Sequence, residues 1–335
     1  IRNKKYDLYT NLCESFISHG YEYQEEFRKE EVPIFEYQVG KVHITKIIAM
    51  EYGHNTVGVY YKVKNEGTKA KLTLAPIVNF RDFHRMSTDH YFDMRQTINK
   101  TKVKLVLDGN SQTPVYMHVS EGEYKEHQND TFSHMFYIEE EKRGFYPEEN
   151  HAVPGVYEIE IPAKTEKEIS FVCSLEENIE QKNVRKFVNN EKIRLGEIIQ
   201  ESQLIKETKE KKTKKELERD ELIKTYLIAA DSFVAYRPSF GLHTILAGYP
   251  WFLDWGRDTL IAFEGLLLIP KRFEIAKQVL LTMIRDVKFG LVPNGYSGYD
   301  NRPLYNSVDA SLLLFEQVNK YLEYTGDYEF IQENI

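Results

Sequence analysis

Apolar and polar residues alternate along several segments in the first half of the chain. Every second residue from Val57 to Val63 is a valine or a tyrosine, a two-residue period that is typical of a half-buried strand. The same period recurs in residues 103–107, 115–119 and 169–175. Turn-forming residues separate such segments at Asn65-Glu66-Gly67, Asp108-Gly109-Asn110 and Pro154-Gly155. Many short strands with regular turns predict an antiparallel β-sandwich.

In the second half of the chain the period changes to three or four residues. Four amphipathic segments predict helices, which run from Arg219 to Tyr236, from Asp258 to Leu267, from Phe273 to Lys288 and from Ser307 to Leu322. A proline or glycine follows each of them, at Pro238, Pro270, Gly290 and Gly326. Such helices form an open arc of antiparallel hairpins, and further helices would be needed to close a core.

A strongly charged segment separates the two patterns. Eleven of the fourteen residues from Lys206 to Arg219 are charged, with both signs interleaved, as in a solvated helix or a linker. We therefore predict a β + α multidomain protein with a β-sandwich domain at 1–176, a charged helical linker at 177–218 and a helical domain at 219–335. The chain begins without Met and ends in the start of a predicted helix, so we expect a longer protein.

Composition narrows the classes of function. The 335 residues carry 44 basic and 52 acidic side chains, and the formal net charge of −8 argues against nucleic acid or an anionic membrane as the main partner. The sequence contains no run of about 18 apolar residues, so it predicts no transmembrane helix. Cys13 and Cys173 are too few for a disulfide framework or a structural zinc site. We expect a cytoplasmic protein without a metal or other cofactor.

One segment combines aromatic and charged residues in a way that packing alone does not explain. Residues 248–259 contain both tryptophans of the chain, Trp251 and Trp255, together with Tyr249 and the adjacent Arg257 and Asp258. A carboxylate and a guanidinium can together bind the hydroxyls of a sugar, while an indole covers its C–H face. The alternative for Asp258 is a helix N-cap, which needs no ligand.

A second candidate segment lies downstream. Residues 291–295 include Asn294, and residues 304–309 include Tyr305, Asn306 and Asp309. In an array of antiparallel helices, Asp258 and Asp309 would both lie at one rim, at N-termini where the helix dipole is positive. Capping by Ser307 or Asp309 is the alternative interpretation.

These segments resemble the bacterial type of glycogen debranching enzyme. The resemblance rests on residues 250–261, PWFLDWGRDTLI, and on 265–268, 290–294 and 305–310. In the first half it rests on 19–23, 26–28 and 79–84, NFRDFH. It implies a β-sandwich followed by the first helices of a twelve-helix (α/α)6 toroid. It also implies that the parent protein hydrolyses α-1,6-glucosidic branch linkages of glycogen or a similar branched α-glucan, with inversion.

The resemblance assigns residues to this activity. Arg257 and Asp258 correspond to the pair that holds the non-reducing glucose, and Trp251 and Trp255 would line the same subsite. The other substrate-binding residues that it implies are Tyr249, Asn294, Tyr305, Asn306 and Asp309. Arg81, Asp82 and His84 match a signature of the first domain, either on a loop at the domain interface or in a fold-stabilising ion pair.

The resemblance places the catalytic acid and base beyond residue 335. Asp258 is then a hydrogen-bond acceptor in the transition state rather than an acid or a base, and these residues alone would be inactive. Two alternatives remain open. The chain could be a non-catalytic carbohydrate-binding module, or part of an (α/α)6 glycosidase or phosphorylase that acts on another α-glucoside.

Overall fold

The computed structural model describes residues 4–82, 85–88, 91–107, 112–206, 208, 210–248, 252–298 and 300–335. The chain forms two compact units, Ile1–Lys192 and Ile193–Ile335, which we call the sheet unit and the helical unit. The domain boundaries predicted at residues 176 and 218 stay predictions.

The described part of the sheet unit contains eleven strands. They are β1 (Gln24–Lys29), β2 (Pro33–Val39), β3 (Val42–Met50), β4 (Thr56–Asn65), β5 (Ala70–Leu74), β6 (Met94–Asn99), β7 (Lys102–Leu107), β8 (Val115–Val119), β9 (Glu123–Phe136), β10 (Glu148–Ile161) and β11 (Thr165–Ser174). Helix α1 (Ile138–Lys142) separates β9 from β10, and helix α2 (Val184–Ser202) follows β11.

These strands form two antiparallel sheets. The larger has the order β1-β2-β3-β4-β11-β8-β7-β6, and the smaller has the order β5-β10-β9. Their facing side chains share one core, to which the large sheet contributes Val63 and Met117 and the small sheet contributes Tyr157 and Ile159. The prediction of antiparallel, sandwiched sheets is therefore confirmed.

The interpretation of β4 as half-buried holds for its second half, where Lys62 and Lys64 are exposed, but not for its first half, where both faces are covered. Val63 faces the small sheet, whereas Tyr60 belongs to a second apolar cluster with Val184 and Phe187 of α2. A Cβ on Gly58 would lie 2.6 Å from Val184 Cγ2, so the glycine lets the helix approach the sheet closely. The alternation of residue types along β4 does not by itself reveal that α2 packs as a second layer on this sheet.

The turn predicted at Pro154-Gly155 is also wrong. Both residues lie inside β10, where the pairing with β9 shifts register between Val153 and Gly155. Val153 and Gly155 are two residues apart on β10, whereas their partners Asp130 and Glu126 are four residues apart on β9, so two extra residues of β9 interrupt the ladder here. Proline and glycine occur both in turns and at interrupted ladders, so the local sequence does not distinguish the two. The turn predicted at 108–110 lies outside the described residues.

The helical unit contains five further helices and two short hairpins among its described residues. The helices are α3 (Lys214–Asp231), α4 (Gly256–Phe263), α5 (Phe273–Ile284), α6 (Asp309–Thr325) and α7 (Tyr328–Asn334). The hairpins are β12 (Val234–Arg237) with β13 (Leu242–Ile245), and β14 (Gly295–Tyr296) with β15 (Pro303–Leu304). None of the helices in the described part of the chain is long and apolar enough to cross a bilayer.

Three predicted helix limits need correction. Helix α3 begins at a Thr213–Glu216 capping box and ends at Asp231, so Tyr236 lies in strand β12 rather than in the helix. Helix α4 begins at Gly256, two residues before Asp258, and continues as a wider π-helical turn over Glu264–Leu268. Helix α5 ends at Ile284 rather than at Lys288.

The remaining helix predictions are confirmed. Helix α6 begins at Asp309 and ends before Gly326, which adopts the left-handed conformation that favours glycine after a helix. Asp327 caps α7 by accepting a bond from Phe330 N. Helices α4 to α7 share a core that includes Leu260, Leu280 and Tyr321. This core fixes the N-termini of α4 and α6, where the candidate residues lie.

Candidate functional site

The N-terminus of α4 lies against the segment that leads into β14. Gly256 N donates to Asn294 O at 2.8 Å, and Trp255 forms an antiparallel bridge with Gly295. Trp255 occupies the N-cap position, and Thr259 N donates to its carbonyl at 2.8 Å. The interpretation of Asp258 as the N-cap is therefore wrong. Asp258 is the third residue of the helix, and it is exposed.

Two glycines permit this close approach. A Cβ on Gly256 would lie 2.7 Å from Pro293 O and 3.2 Å from Ala310 Cβ, which is tighter than packed atoms allow. A Cβ on Gly295 would lie 3.6 Å from Trp255 Cε3, so the half-buried indole lies beside this glycine. The glycines bring together two segments that the sequence separates by about forty residues.

Arg257 and Asp309 connect the N-termini of α4 and α6. Arg257 Nε donates to Asp309 Oδ2 in an ion pair whose side chains are 55% and 36% exposed. The hydrogen bond from Arg257 holds the pKa of the Asp309 carboxyl below its ordinary value. The same bond, with a smaller contribution from the charge of Asp258, raises the pKa of Arg257. Two carboxylates and one guanidinium are therefore exposed together, and we call this group, Arg257, Asp258 and Asp309, the rim.

Asp309 also stabilises its own helix start. Its Oδ1 accepts bonds from Ala310 N at 3.0 Å and from the Ser307 hydroxyl. Val308 is the N-cap residue, and its side chain makes no capping bond. The capping alternative for Asp309 is thus partly correct, since one carboxylate oxygen bonds the helix terminus while the other pairs with Arg257.

Two of the predicted neighbours of this pair hydrogen-bond to each other, and a third bonds to the segment that follows α5. Asn294 Nδ2 donates to Asn306 Oδ1 at 3.2 Å, and the Tyr305 hydroxyl donates to Asp286 O at 2.6 Å. Asn294 is only 7% exposed, and its Oδ1 has no hydrogen-bond partner among the described residues. An unpaired buried carbonyl is costly, so this group is under strain rather than merely packed. Tyr249 and Trp251 lie outside the described residues.

A buried ion pair behind this rim was not predicted from the sequence. Arg237 Nη1 donates to both carboxylate oxygens of Asp254, whose side chain is fully buried. Thr244 Oγ1 donates to Asp254 Oδ2 at 3.3 Å, and Arg237 Nη2 donates to Asn301 Oδ1 at 2.7 Å. Because Asp254 immediately precedes Trp255, the pair fixes the strand that enters α4. An aspartate inside an otherwise apolar run, PWFLDW, was the available signal.

Aromatic rings enclose the Arg237 guanidinium. Its central carbon lies 4.3 Å from the ring centroid of Phe240 and 5.3 Å from that of Tyr296. The Tyr296 hydroxyl donates to Thr282 O at 3.2 Å, which ties β14 to α5. Burial is the main cause that raises the pKa of Tyr296. Cation–π contacts strengthen when they are desolvated. This cluster therefore supports the segment that leads into α4, next to the exposed Arg257–Asp309 pair.

The structure places Arg81 in a fold-stabilising ion pair within the sheet unit. Arg81 binds Glu149, whose side chain is fully buried and also accepts from Tyr137 OH at 2.9 Å and Ser87 N at 3.1 Å. Burial alone would raise the pKa of Glu149, but these hydrogen bonds outweigh it and lower the pKa. Arg81 Nη1 also donates to Asp82 O at 3.2 Å. His84 lies outside the described residues, and the interface role of all three stays a prediction.

Two groups of described glutamates and histidines have ligand atoms close enough for a metal ion. They consist of Glu14, His134 and Glu148 in one group and of Glu51, His54 and Glu176 in the other. In the second group Lys182 Nζ binds both glutamates, so an ammonium already balances their charge. Both groups belong to the sheet unit, and neither includes a residue of the rim.

Two family models match the chain in sequence order. The first, described as glycogen debranching enzyme N terminal, matches residues 1–168. The second, described as amylo-alpha-1,6-glucosidase, matches residues 228–335 and therefore contains the rim.

Individual relatives match this chain to different extents. The glycogen debranching enzyme of Saccharomyces cerevisiae is 34% identical over 104 residues, which are 29% of this chain and 7% of the yeast enzyme. A bacterial glucoamylase solved with acarbose is similar in fold over 92% of this chain and 49% of its own, with a TM-score of 0.53 and 12% identity. The chain thus spans about half of the glucoamylase and a small part of the yeast enzyme. Since the first family model alone covers half of the chain, the chain belongs to the glycogen debranching enzyme family.

Proposed function

We propose that this chain is part of a glycoside hydrolase that cleaves α-1,6-glucosidic branch linkages of glycogen-like glucans with inversion. The sheet unit is the N-terminal β-sandwich, and the helical unit is the start of an (α/α)6 glucosidase toroid. The observation that carries the proposal is the exposed Arg257–Asp309 pair, at two adjoining helix N-termini, within the segment that matches the glucosidase family model.

The chemistry of the rim suits a neutral polyol. A sugar hydroxyl both donates and accepts hydrogen bonds, and the rim offers the N–H groups of Arg257 beside the carboxylates of Asp258 and Asp309. The side chain of Trp255 supplies an aromatic face next to them. The hydrogen bond from Arg257 lowers the pKa of Asp309, so this carboxylate is an acceptor rather than an acid. Asp258 would be a second acceptor, and these two aspartates would bind sugar rather than protonate the leaving group.

Inversion needs a separate acid and base, about 6.5–9.5 Å apart with a water between them. We propose that both carboxylates lie in chain beyond residue 335. Asp258 would accept hydrogen bonds from the glucosyl hydroxyls, and these bonds would strengthen as the ring flattens toward the oxocarbenium-like transition state. Trp251, Tyr249 and Asn294 would complete the same subsite.

The test is Asp258→Ala in the full-length protein, assayed for glucose release from a branched limit dextrin. Loss of a charged acceptor at the transition state should lower kcat by about 10²-fold or more. Asp130→Ala, which removes an exposed aspartate of the sheet unit, is the matched control and should leave kcat unchanged. Turnover of Asp258→Ala within about threefold of wild type would show that the sugar-binding role is wrong.

The product identifies the reaction class. A hydrolase releases glucose in phosphate-free buffer, whereas a phosphorylase needs inorganic phosphate and releases a glucosyl phosphate. The anomeric configuration of the glucose released first, read by NMR, distinguishes inversion from retention. Glycogen binding without either product would instead favour a carbohydrate-binding module.

A further inference from the structure

Phe289 has the largest exposed fraction, 94%, among the large apolar side chains of the described residues. With Gly290 it forms the centre of a tight turn between α5 and β14. Lys288 N donates to Leu291 O, and Leu291 N donates to Lys288 O, both at 3.0 Å. The φ angles of Phe289 and Gly290 are +52° and +76°, as at the centre of a type I′ turn.

Phenylalanine is an unfavourable residue for this conformation. Type I′ turns favour Asn, Asp and Gly, because larger side chains crowd the backbone when φ is positive. The other described non-glycine residues with positive φ are all polar, namely Lys100, His134, Lys164, Gln203, Lys271 and Asn301. Phe289 therefore combines backbone strain with an apolar ring in water. Features that lower stability in this way concentrate at functional sites.

The turn is tied to the same rim as the Arg257–Asp309 pair. Val292, three residues after Phe289, donates its backbone N–H to Ser311 Oγ at 2.9 Å, and Ser311 follows Asp309 by two residues in α6. On the other side of the turn, the Tyr305 hydroxyl binds Asp286 O at 2.6 Å. Three residues of extended chain reach about 10 Å, so the ring stays near the start of α6.

We propose that Phe289 is a stacking platform for a glucosyl unit of the glucan that lies outside the Arg257–Asp309 pair, an inference that rests on the proposed function. The C–H face of a pyranose ring meets the electron-rich face of an aromatic ring favourably. Lys288 Nζ lies over one face of the ring, 5.7 Å from its centroid, and leaves the opposite face for the sugar. The side chain thus gains its contacts from the ligand rather than from the fold.

The test uses Phe289→Asn and Phe289→Trp in the full-length protein, with melting temperatures and with KM for a limit dextrin and for a small aryl α-glucoside. Phe289→Asn should raise KM for the dextrin about tenfold, leave KM for the small substrate unchanged, and raise the melting temperature by roughly 2 °C. Phe289→Trp should keep the KM of wild type. Lys271→Asn, which relieves a φ of +62° elsewhere in the helical unit, should leave both KM values unchanged.

Two results overturn the proposal. A dextrin KM within twofold of wild type in Phe289→Asn removes the stacking role, and a lowered melting temperature shows that the ring packs against protein instead. Binding to immobilised glycogen distinguishes failure of the stacking proposal from failure of the proposed function. A wild-type protein that binds glycogen through Phe289 but hydrolyses no dextrin refutes the hydrolase alone. An active hydrolase that is insensitive to Phe289→Asn refutes the platform alone, and a protein with neither binding nor hydrolysis refutes both.

Discussion

Two arginine–aspartate pairs lie on either side of Trp255, and they differ in every property that decides their role. The side chains of Arg237 and Asp254 are 15% and 0% exposed, whereas those of Arg257 and Asp309 are 55% and 36% exposed. The buried pair has fixed further partners in Thr244 and in two aromatic rings. The exposed pair has open faces toward solvent.

This difference assigns a separate task to each pair. A buried ion pair has already lost its water, so its partners hold each other and their surroundings in one geometry. An exposed pair contributes little to stability, because water and salt compete for both charges. The same competition lets a sugar hydroxyl insert beside the pair at low cost. The buried pair therefore positions the loop, and the exposed pair is available to a ligand.

The largest expected effect comes from breaking the buried pair. Asp254→Ala should lower the free energy of unfolding by about 3–5 kcal/mol, because it leaves the Arg237 guanidinium buried without a counter-ion. Urea unfolding followed by circular dichroism measures this. The double variant Arg237→Met with Asp254→Leu should recover most of the loss, since no buried charge remains. Arg257→Gln in the same assay breaks the exposed pair but keeps the bonds of Asp309 to its own helix start, so it should leave the unfolding midpoint nearly unchanged. A large shift there would contradict the comparison.

The next effect comes from the contact between α4 and the β14 segment. Gly256→Ala places a Cβ 2.7 Å from Pro293 O, so one of the two backbones must move, at a cost of about 1–3 kcal/mol. Glucan affinity should fall as well, because the shift moves Trp255 and Arg257 together. Gly265→Ala is the matched control, since its Cβ meets nothing within 4 Å, and it should stabilise the protein by about 0.4–1 kcal/mol. Equal effects of the two substitutions would show that the close approach does not matter.

Local sequence patterns were sufficient to predict those strands and helices that depend on the preferences of neighbouring residues. The strand around Val59 and the helix that ends before Gly326 follow from side-chain period and from a glycine stop signal. The same rules failed where tertiary contacts decide the outcome. Tyr236 continues a helical period but pairs with His243 in a hairpin, and α2 covers the second face of β4.

In the candidate site, too, residue types were predicted from the sequence, whereas tertiary pairings were not. The rim was predicted because Arg257, Asp258 and Asp309 occur in segments whose residue types suit sugar binding. The pairing of Arg257 with Asp309 joins residues 52 positions apart, so adjacency in sequence favoured Asp258 as the partner instead. The partner of Asp254 was likewise not visible, because Arg237 directly follows a segment predicted to be helical and lies 17 residues before Asp254. Charge pairs between distant segments need the fold before they can be assigned.

The smallest effect tests the exposed pair by titration. The hydrogen bond from Arg257 lowers the pKa of Asp309, so the pair contributes stability above the ordinary aspartate pKa of about 3.9 and loses it as pH falls through the lowered value. Carbon-13 NMR titration should therefore show a midpoint below about 3.9 that returns toward it in Arg257→Gln.

Salt should sharpen the contrast between exposed and buried carboxylates. One molar salt should move the Asp309 midpoint toward the ordinary value, because an exposed pair is screened over a few ångströms. The Glu149 carboxyl, whose pKa is also lowered but whose side chain is fully buried beside Arg81, should move less. If the salt response of Asp309 were no larger than that of Glu149, the rim would be shielded from solvent. The argument that a sugar can easily displace water there, which rests on exposure, would then fail.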